Sequence, residues 1–222
     1  MLRSNFSRLN LMGVVLILAA CTATDQAVAP KQSRSAMPVG APSLDVIMNS
    51  TAADSLSADF TVTPTGGMFV LGKHAVYFPD HAICDPSTSS YGPGHWDEPC
   101  TPLDEPIQFH AEIRGDSANG AWIDFSPSVR FVPTDDPAQS VWIMMRTTVQ
   151  TDETNYQGLT LLWTPNHAET AGVNEALEDP SLKTYVDVQR SIVFRRIKHF
   201  TGYLVTLDRL DNSFLDDIIP IW

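Results

Sequence analysis

The sequence predicts an all-β protein, an antiparallel β-sandwich with one short helix. Eleven short runs rich in β-branched and aromatic residues recur between Pro, Gly, Asn and Asp residues, which is typical of strands joined by tight turns. Residues 46–222 are long enough to form one domain with a sizeable core. Many short strands at close spacing favour a sandwich over a helical fold.

The predicted strands carry the period-two alternation of half-buried β-structure. They span residues 60–63, 68–71, 75–78, 107–113, 121–125, 129–132, 141–149, 159–163, 185–188, 192–197 and 202–207. In one run, Val141, Ile143 and Met145 share a face opposite Trp142 and Met144. Such alternation predicts that one face of each sheet packs against a core.

One helix and one apolar tail complete the predicted elements. The helix is expected near residues 169–177, in HAETAGVNEALEDP, where Pro180 ends it. The chain finishes with FLDDIIPIW, and we expect this apolar end to pack on the sandwich, since an exposed apolar tail is unfavourable in water.

The first residues indicate export. Arg3 and Arg8 precede a short apolar run that ends Leu18-Ala19-Ala20-Cys21. This end resembles the lipobox of bacterial lipoproteins, which implies a signal peptide over residues 1–20 and a lipidated Cys21. Residues 21–45 are rich in Ala, Pro and Ser, and are expected to form a flexible tether before the domain at residues 46–222. By resemblance to lipoprotein sorting in enteric bacteria, Thr22 in place of Asp implies the outer membrane or cell surface rather than the inner membrane.

The charge of the chain excludes one class of partner. All 26 acidic residues follow Cys21, and 12 of the 14 basic residues do, so the processed chain carries a net charge of −14. A nucleic-acid-binding protein needs a basic face, so we expect no nucleic-acid partner. A basic cluster of Arg190, Arg195, Arg196 and Lys198 is expected to pair with local carboxylates, with an anionic ligand site as the alternative.

The cysteines predict one disulfide. With Cys21 lipidated, Cys84 and Cys100 remain as a pair, and an oxidising compartment would join them. A structural zinc site requires four closely spaced ligands, which these cysteines do not provide.

A motif order within residues 60–150 resembles the ZU5 domain, a β-sandwich interaction module. Two glycines precede a strand pair that ends in proline, and a later strand ends Ser-Pro-x-Val-x-Phe; the matching residues are Gly66, Gly67, Pro79, Ala82, Phe125, Ser126 and Pro127. The resemblance implies a domain that binds other proteins. The sequence departs from the family at FPDHAI and in the insertion of residues 84–100, and an immunoglobulin-like sandwich is the alternative.

The insertion, called here the disulfide loop (residues 84–100), holds candidate binding residues. Tyr91, His95, Trp96 and Asp97 form an aromatic and acidic group that could bind a partner protein, a sugar or a metal ion. The alternative is a turn-rich loop whose aromatic side chains fold back over the edge of the sandwich. We assign no metal to it.

The stretch His199-Phe200-Thr201 has two interpretations. It resembles the self-cleavage site of ZU5 and adhesion-receptor sandwiches, in which the Thr201 hydroxyl would attack the Phe200 carbonyl with His199 as general base. In the other interpretation it starts the closing strand, and Phe200 packs inward. We expect the closing strand and a single uncut chain.

No sequence pattern of a conventional enzyme or cofactor site occurs in the chain. The expected function is therefore that of a membrane-anchored envelope lipoprotein whose domain serves as a protein-protein interaction or structural module. Its expected partners are the membrane, through the lipid, and an envelope or extracellular protein. The alternatives are a self-cleaving domain and a carbohydrate-binding or hydrolytic envelope protein.

Overall fold

The computed structural model describes residues 37–48, 57–116, 120–147, 156–165, 172–207 and 218–221. The strands in these residues are β1 (Ser57–Val62), β2 (Gly67–Leu71), β3 (His74–Phe78), β4 (Ile107–Asp116), β5 (Gly120–Ser126), β6 (Val141–Arg146), β7 (Leu159–Thr164), β8 (Thr184–Asp187), β9 (Ile192–Ile197), β10 (Gly202–Leu207) and β11 (Ile218–Ile221). A short helix, α1, spans Asp45–Met48. The remaining helical turns of the described residues are 3₁₀ turns of three residues.

Two sheets face each other. The first has the order β1-β4-β5-β10-β7 and the second β11-β8-β9-β6-β3-β2. Neighbouring strands run antiparallel, except that β11 pairs with β8 in parallel. The predicted all-β sandwich is confirmed, and the C-terminal apolar segment contributes β11 as an edge strand.

Strand β6 shows how alternation builds two separate cores. Val141, Ile143 and Met145 lie in the main cluster between the sheets, whereas Trp142 and Met144 belong to a second cluster on the outer face. All five are almost fully buried, which removes both faces of β6 from water. Burying each such side chain stabilises the fold by about 2 kcal/mol before the entropy of ordering it is subtracted.

The outer face of the second sheet is covered by the segment before β1. Leu44 and Ile47 are buried there beside Phe194, with Met37 and Ala41 packed at the margin. The tether predicted from the sequence spans residues 21–45. The structure instead extends the packed part of the chain back to Met37, because these few apolar side chains match the apolar outer face of β6 and β9.

Two predicted elements differ from the structure. Residues 129–132 form isolated bridges rather than a strand, because Phe131 N–H bonds Lys198 O while Val132 N–H bonds Ala82 O. The predicted helix at 169–177 is wrong where the structure describes it. Val173 pairs with Trp163, and Asn174 is extended and caps a 3₁₀ turn over Glu175–Leu177. Residues 169–171 lie outside the described residues.

In the part of the chain that the structure describes, no helix has the length and apolar character needed to cross a bilayer. The predicted signal peptide and Cys21 lie outside the described residues.

Candidate functional site

The His199–Thr201 triplet lies immediately before β10 and is fixed by its backbone. Phe200 N–H donates to Val129 O at 2.7 Å, and Thr201 O accepts from Phe125 N–H at 3.0 Å. His199 and Phe200 are fully buried, and Thr201 nearly so. The triplet is thus held between β5 and the 129–132 segment.

Phe200 anchors the triplet in the aromatic centre of the sandwich. Its ring stacks on Phe125, with centroids 4.0 Å apart and planes inclined by 5°. The rings of Phe78, Phe109 and Phe131 meet it edge-on at 5.1 to 5.4 Å. The inward packing of Phe200 orients the side chains on either side of it away from this cluster.

His199 belongs to a buried ionic cluster. Its Nε2 lies 2.8 Å from Glu175 Oε1, and Arg195 Nη2 donates to the other carboxylate oxygen. Arg195 comes from the centre of β9, and Glu175 comes from the 3₁₀ turn that replaces the predicted helix. Burial raises the pKa of Glu175, but the charges of Arg195 and His199 and their hydrogen bonds outweigh it, so that the pKa falls below its ordinary value.

Tyr203 closes the cluster from β10. Its hydroxyl donates to His199 O at 2.6 Å and lies 3.5 Å from His199 Nδ1. The Arg195 guanidinium sits over the Tyr203 ring, 5.6 Å from its centroid. Complete burial raises the pKa of Tyr203 well above its usual value, so the hydroxyl stays a neutral donor.

The disulfide loop docks on this same triplet. Cys84 and Cys100 form the predicted disulfide, with Cα atoms 5.6 Å apart. Trp96 is almost buried and stacks on His199 with centroids 4.1 Å apart. Tyr91 packs edge-on against Trp96, and its hydroxyl donates to Phe200 O at 2.7 Å.

Charged side chains of the sandwich bind the disulfide loop near its second cysteine. Lys198 binds Asp97 of the loop and, at 2.7 Å, Asp179. Arg130, from the 129–132 segment, donates to the carbonyl oxygens of Glu98 and Pro99. The loop and the triplet, which appear as separate features in the sequence, therefore form one site.

His95 is the loop candidate that faces away from the triplet. Its Nδ1 lies 2.8 Å from Glu98 Oε2 within the loop, and both side chains are exposed. Of the four candidate binding residues, Tyr91, Trp96 and Asp97 contact residues 198–200, whereas His95 does not.

The chemistry of the triplet depends on where its polar atoms point. Thr201 Oγ1 accepts a hydrogen bond from Trp163 Nε1 at 2.7 Å. The hydrogen bonds of the His199 ring in the described structure run to Glu175 and Tyr203 rather than to Thr201. Burial raises the pKa of Tyr91 to about 12, so its hydroxyl is protonated at neutral pH and polarises the Phe200 carbonyl.

The other tryptophans of the described residues serve the packing. Trp142 is buried in the outer cluster, with its Nε1 donating to Pro137 O at 2.9 Å. Trp122 is buried on β5 beside Arg114, whose guanidinium lies 5.4 Å from its ring. Neither ring is presented to solvent as a sugar platform.

The basic cluster of the sequence is paired within the described structure. Arg190 binds Asp187 at 2.7 Å, and Arg196 donates to Ser181 O through two nitrogens. With Arg195 on Glu175 and Lys198 on its two aspartates, all four cations contact local acceptors. Among the described residues, no group of three His, Cys, Asp or Glu side chains is placed to hold a metal ion.

An open cleft lies beside the disulfide loop. It has a volume of about 400 Å³ and is lined by Asp97, Pro133, Thr134, Asp135, Asp179, Ser181 and Lys198. His199 and Glu175 do not line it.

Sequence reasoning missed Glu175 because its segment was predicted to form a helix, and the structure places it in a 3₁₀ turn. A signal was available for Arg195, which shares a strand face with the apolar residues Val193 and Ile197. An arginine on such a face needs a buried acceptor. Nothing in the sequence indicates that the acceptor is Glu175.

The resemblance of residues 60–150 to ZU5 domains rests on the motif order alone, and the lipobox at Cys21 rests on residues outside the described structure. Both stay predictions. No family model matches the chain, and no curated protein or solved structure matches it at a significant level.

Proposed function

We propose that this chain is a lipid-anchored protein of the bacterial cell envelope, and that its β-sandwich serves as a protein-protein interaction or structural module. The lipobox at Cys21 and the Ala-, Pro- and Ser-rich segment after it support the anchor and its tether. The disulfide between Cys84 and Cys100 fits an oxidising compartment outside the cytoplasm.

One observation supports a non-catalytic module. His199 and Glu175, the acid-base pair of the site, are only 0% and 8% exposed, and Trp96 covers the His199 ring. An enzyme that acts on a separate molecule must bring such groups into contact with it. Here the pair is satisfied by Arg195 and Tyr203 instead, so its role is to stabilise and orient the closing strand.

The anchor is tested by fractionation of cells that express the full chain. The wild-type protein should sediment with membranes and carry a lipid on Cys21, and the outer-membrane or surface fraction should contain it. Cys21→Ser, which leaves Cys84 and Cys100 intact, should accumulate unprocessed or be released. A soluble wild-type protein with an unmodified Cys21 would overturn the proposal.

A second candidate function, self-cleavage at Phe200–Thr201, is favoured by the position of Tyr91. Its hydroxyl already donates to the Phe200 carbonyl, the oxygen that would become negatively charged in the reaction. The Thr201 oxygen would attack this carbonyl carbon while His199 takes the hydroxyl proton. The bond between the Phe200 carbon and the Thr201 nitrogen would then break, with the proton passing from His199 to that nitrogen. Water would then split the resulting ester, leaving a carboxylate on Phe200 and a free amine on Thr201.

The contacts of the remaining groups favour an uncut chain. Thr201 Oγ1 accepts from Trp163, and the His199 nitrogens contact Glu175 and Tyr203. We expect the mass of the denatured protein to correspond to one chain. A separate piece starting at Thr201, present in wild type, lost in Thr201→Ala and reduced in Tyr91→Phe, would establish the second function instead.

A further inference from the structure

We propose that the disulfide loop is a redox-sensitive lid over the buried His199–Glu175 pair, and that reduction of the Cys84–Cys100 bond opens it. This inference goes beyond the proposed function and does not depend on the lipid anchor or on self-cleavage. It rests on how the loop is attached to the sandwich and on what lies beneath it.

The middle of the disulfide loop is not part of either sheet. Its backbone-to-backbone hydrogen bonds stay inside the loop, as in Thr88 N–H to Asp85 O and Glu98 N–H to His95 O. The Arg130 side chain also donates to the carbonyl oxygens of Glu98 and Pro99, next to the second cysteine. Only the loop ends bond the body through their backbone, with Cys84 N–H donating to Arg130 O at 3.0 Å. A segment without ladder hydrogen bonds can open locally while the sheets stay folded.

Side chains hold the middle of the loop, and their contacts converge on residues 198–200. Tyr91 binds the Phe200 carbonyl, Trp96 covers the His199 ring, and Asp97 binds the Lys198 ammonium. Undocking the loop would break all three contacts together. It would also remove the Trp96 indole, which is the part of the loop that covers the face of the His199 imidazole.

The disulfide is the covalent restraint on this opening. It joins residues 16 positions apart and limits the conformations that an undocked loop can adopt. Without the disulfide, the open state gains chain entropy, whereas the docked state keeps the same three side-chain contacts. The open population should therefore rise on reduction.

Reduction has an accessible point of attack. Cys84 is buried, whereas Cys100 is only partly so. A thiolate of a dithiol attacks Cys100 Sγ, the S–S bond breaks, and Cys84 leaves as a thiolate that takes up a proton. The second thiol of the dithiol then displaces Cys100, so that two electrons and two protons reach the protein and the reagent becomes a cyclic disulfide.

The chain contains its own reference residues for a test of the lid. Diethyl pyrocarbonate acylates accessible imidazole rings, and mass mapping of peptides gives the rate at each histidine. His81 and His110 are about half exposed and should react alike in every state. His74 is 6% exposed and lies at the start of β3, away from the loop, so its protection reports on the intact fold.

We expect His199 and His74 to be protected in the oxidised full-length protein. After treatment with dithiothreitol, the rate at His199 should rise about tenfold, which corresponds to about 1.4 kcal/mol of lost local stability. His74 should stay protected. The double variant Cys84→Ser with Cys100→Ser should reproduce this pattern without reductant, and Trp96→Ala should raise the His199 rate even when the disulfide is intact.

Two results would overturn the lid. If His199 stays as protected as His74 in both the reduced protein and the double variant, the loop remains docked without its disulfide. If His74 becomes reactive together with His199, reduction unfolds the domain as a whole and no separate lid exists.

Discussion

Trp96 of the disulfide loop stacks on His199, with ring centroids 4.1 Å apart and planes inclined by 20°. Nε2 of the same imidazole lies within hydrogen-bonding distance of the Glu175 carboxylate. One residue thus joins an inserted loop to an ionic cluster at the interior of the sandwich, and the stability of each should depend on the other.

Trp96→Ala should lower the free energy of unfolding by about 3 kcal/mol, because it removes a buried indole and uncovers the His199 ring. Urea denaturation at pH 7 with the disulfide intact measures the change. Tyr91→Phe is the matched control: it keeps the neighbouring ring and removes one hydroxyl, so about 1 kcal/mol is expected. Equal effects of the two variants would contradict a principal role for the stacking.

Glu175→Gln should destabilise the fold by about 3 kcal/mol or more. The substitution keeps the volume of the side chain but leaves the Arg195 guanidinium buried without a negative partner. Denaturant unfolding measures this loss. The double variant Glu175→Leu with Arg195→Met removes both charges and should recover most of the stability, whereas an additive loss would show that the two residues act separately.

The contribution of Glu175 should also depend on pH. Its pKa in the folded protein lies below the ordinary value of 4.5. A carboxyl with a lowered folded pKa stabilises the fold above its unfolded pKa, and this stabilisation is lost as the pH falls through the folded value. The stability difference between wild type and Glu175→Gln should therefore shrink as the pH falls below 4.5. Subtracting the variant cancels the titration of the carboxyls that the substitution does not touch, and a difference that does not change at all between pH 5 and pH 2 would contradict the lowered pKa.

The fold was predictable because alternation is a local property. The faces of β6 and β4 follow from residues two positions apart, and the structure places Val141, Ile143 and Met145 in one core and Trp142 in the other. The helix at residues 169–177 failed for a non-local reason. Val173 pairs with Trp163 of β7, and this tertiary contact overrides the helical propensity of the EAL stretch.

The site was predictable only in its parts. The disulfide followed from cysteine counting, and the triplet at His199 was visible as a motif. Their contact could not be inferred, because the docking of Tyr91 and Trp96 on residues 199–200 depends on the arrangement of the sheets. The burial of Glu175 could not be inferred from the sequence either, since a glutamate is buried only where tertiary structure supplies a cation.

Gly202, at the start of β10, should not tolerate a side chain. A Cβ there would lie 2.0 Å from Thr164 Oγ1, and Thr164 is fully buried on the paired strand β7. The Thr164 hydroxyl also accepts from Trp122 Nε1, so it cannot move without breaking that contact.

We therefore expect Gly202→Ala to lower the free energy of unfolding by about 2 kcal/mol, in the range found for overpacked cores. Gly94→Ala is the matched control, because a Cβ at Gly94 in the disulfide loop meets no atom within 4 Å. That change should leave stability within about 0.5 kcal/mol of wild type. Thermal and urea unfolding of the two variants, measured side by side, compare the same chemical change at a crowded and an open position. If Gly202→Ala proved as stable as Gly94→Ala, β10 would have to lie further from β7 than the register of Gly202 opposite Thr164 allows.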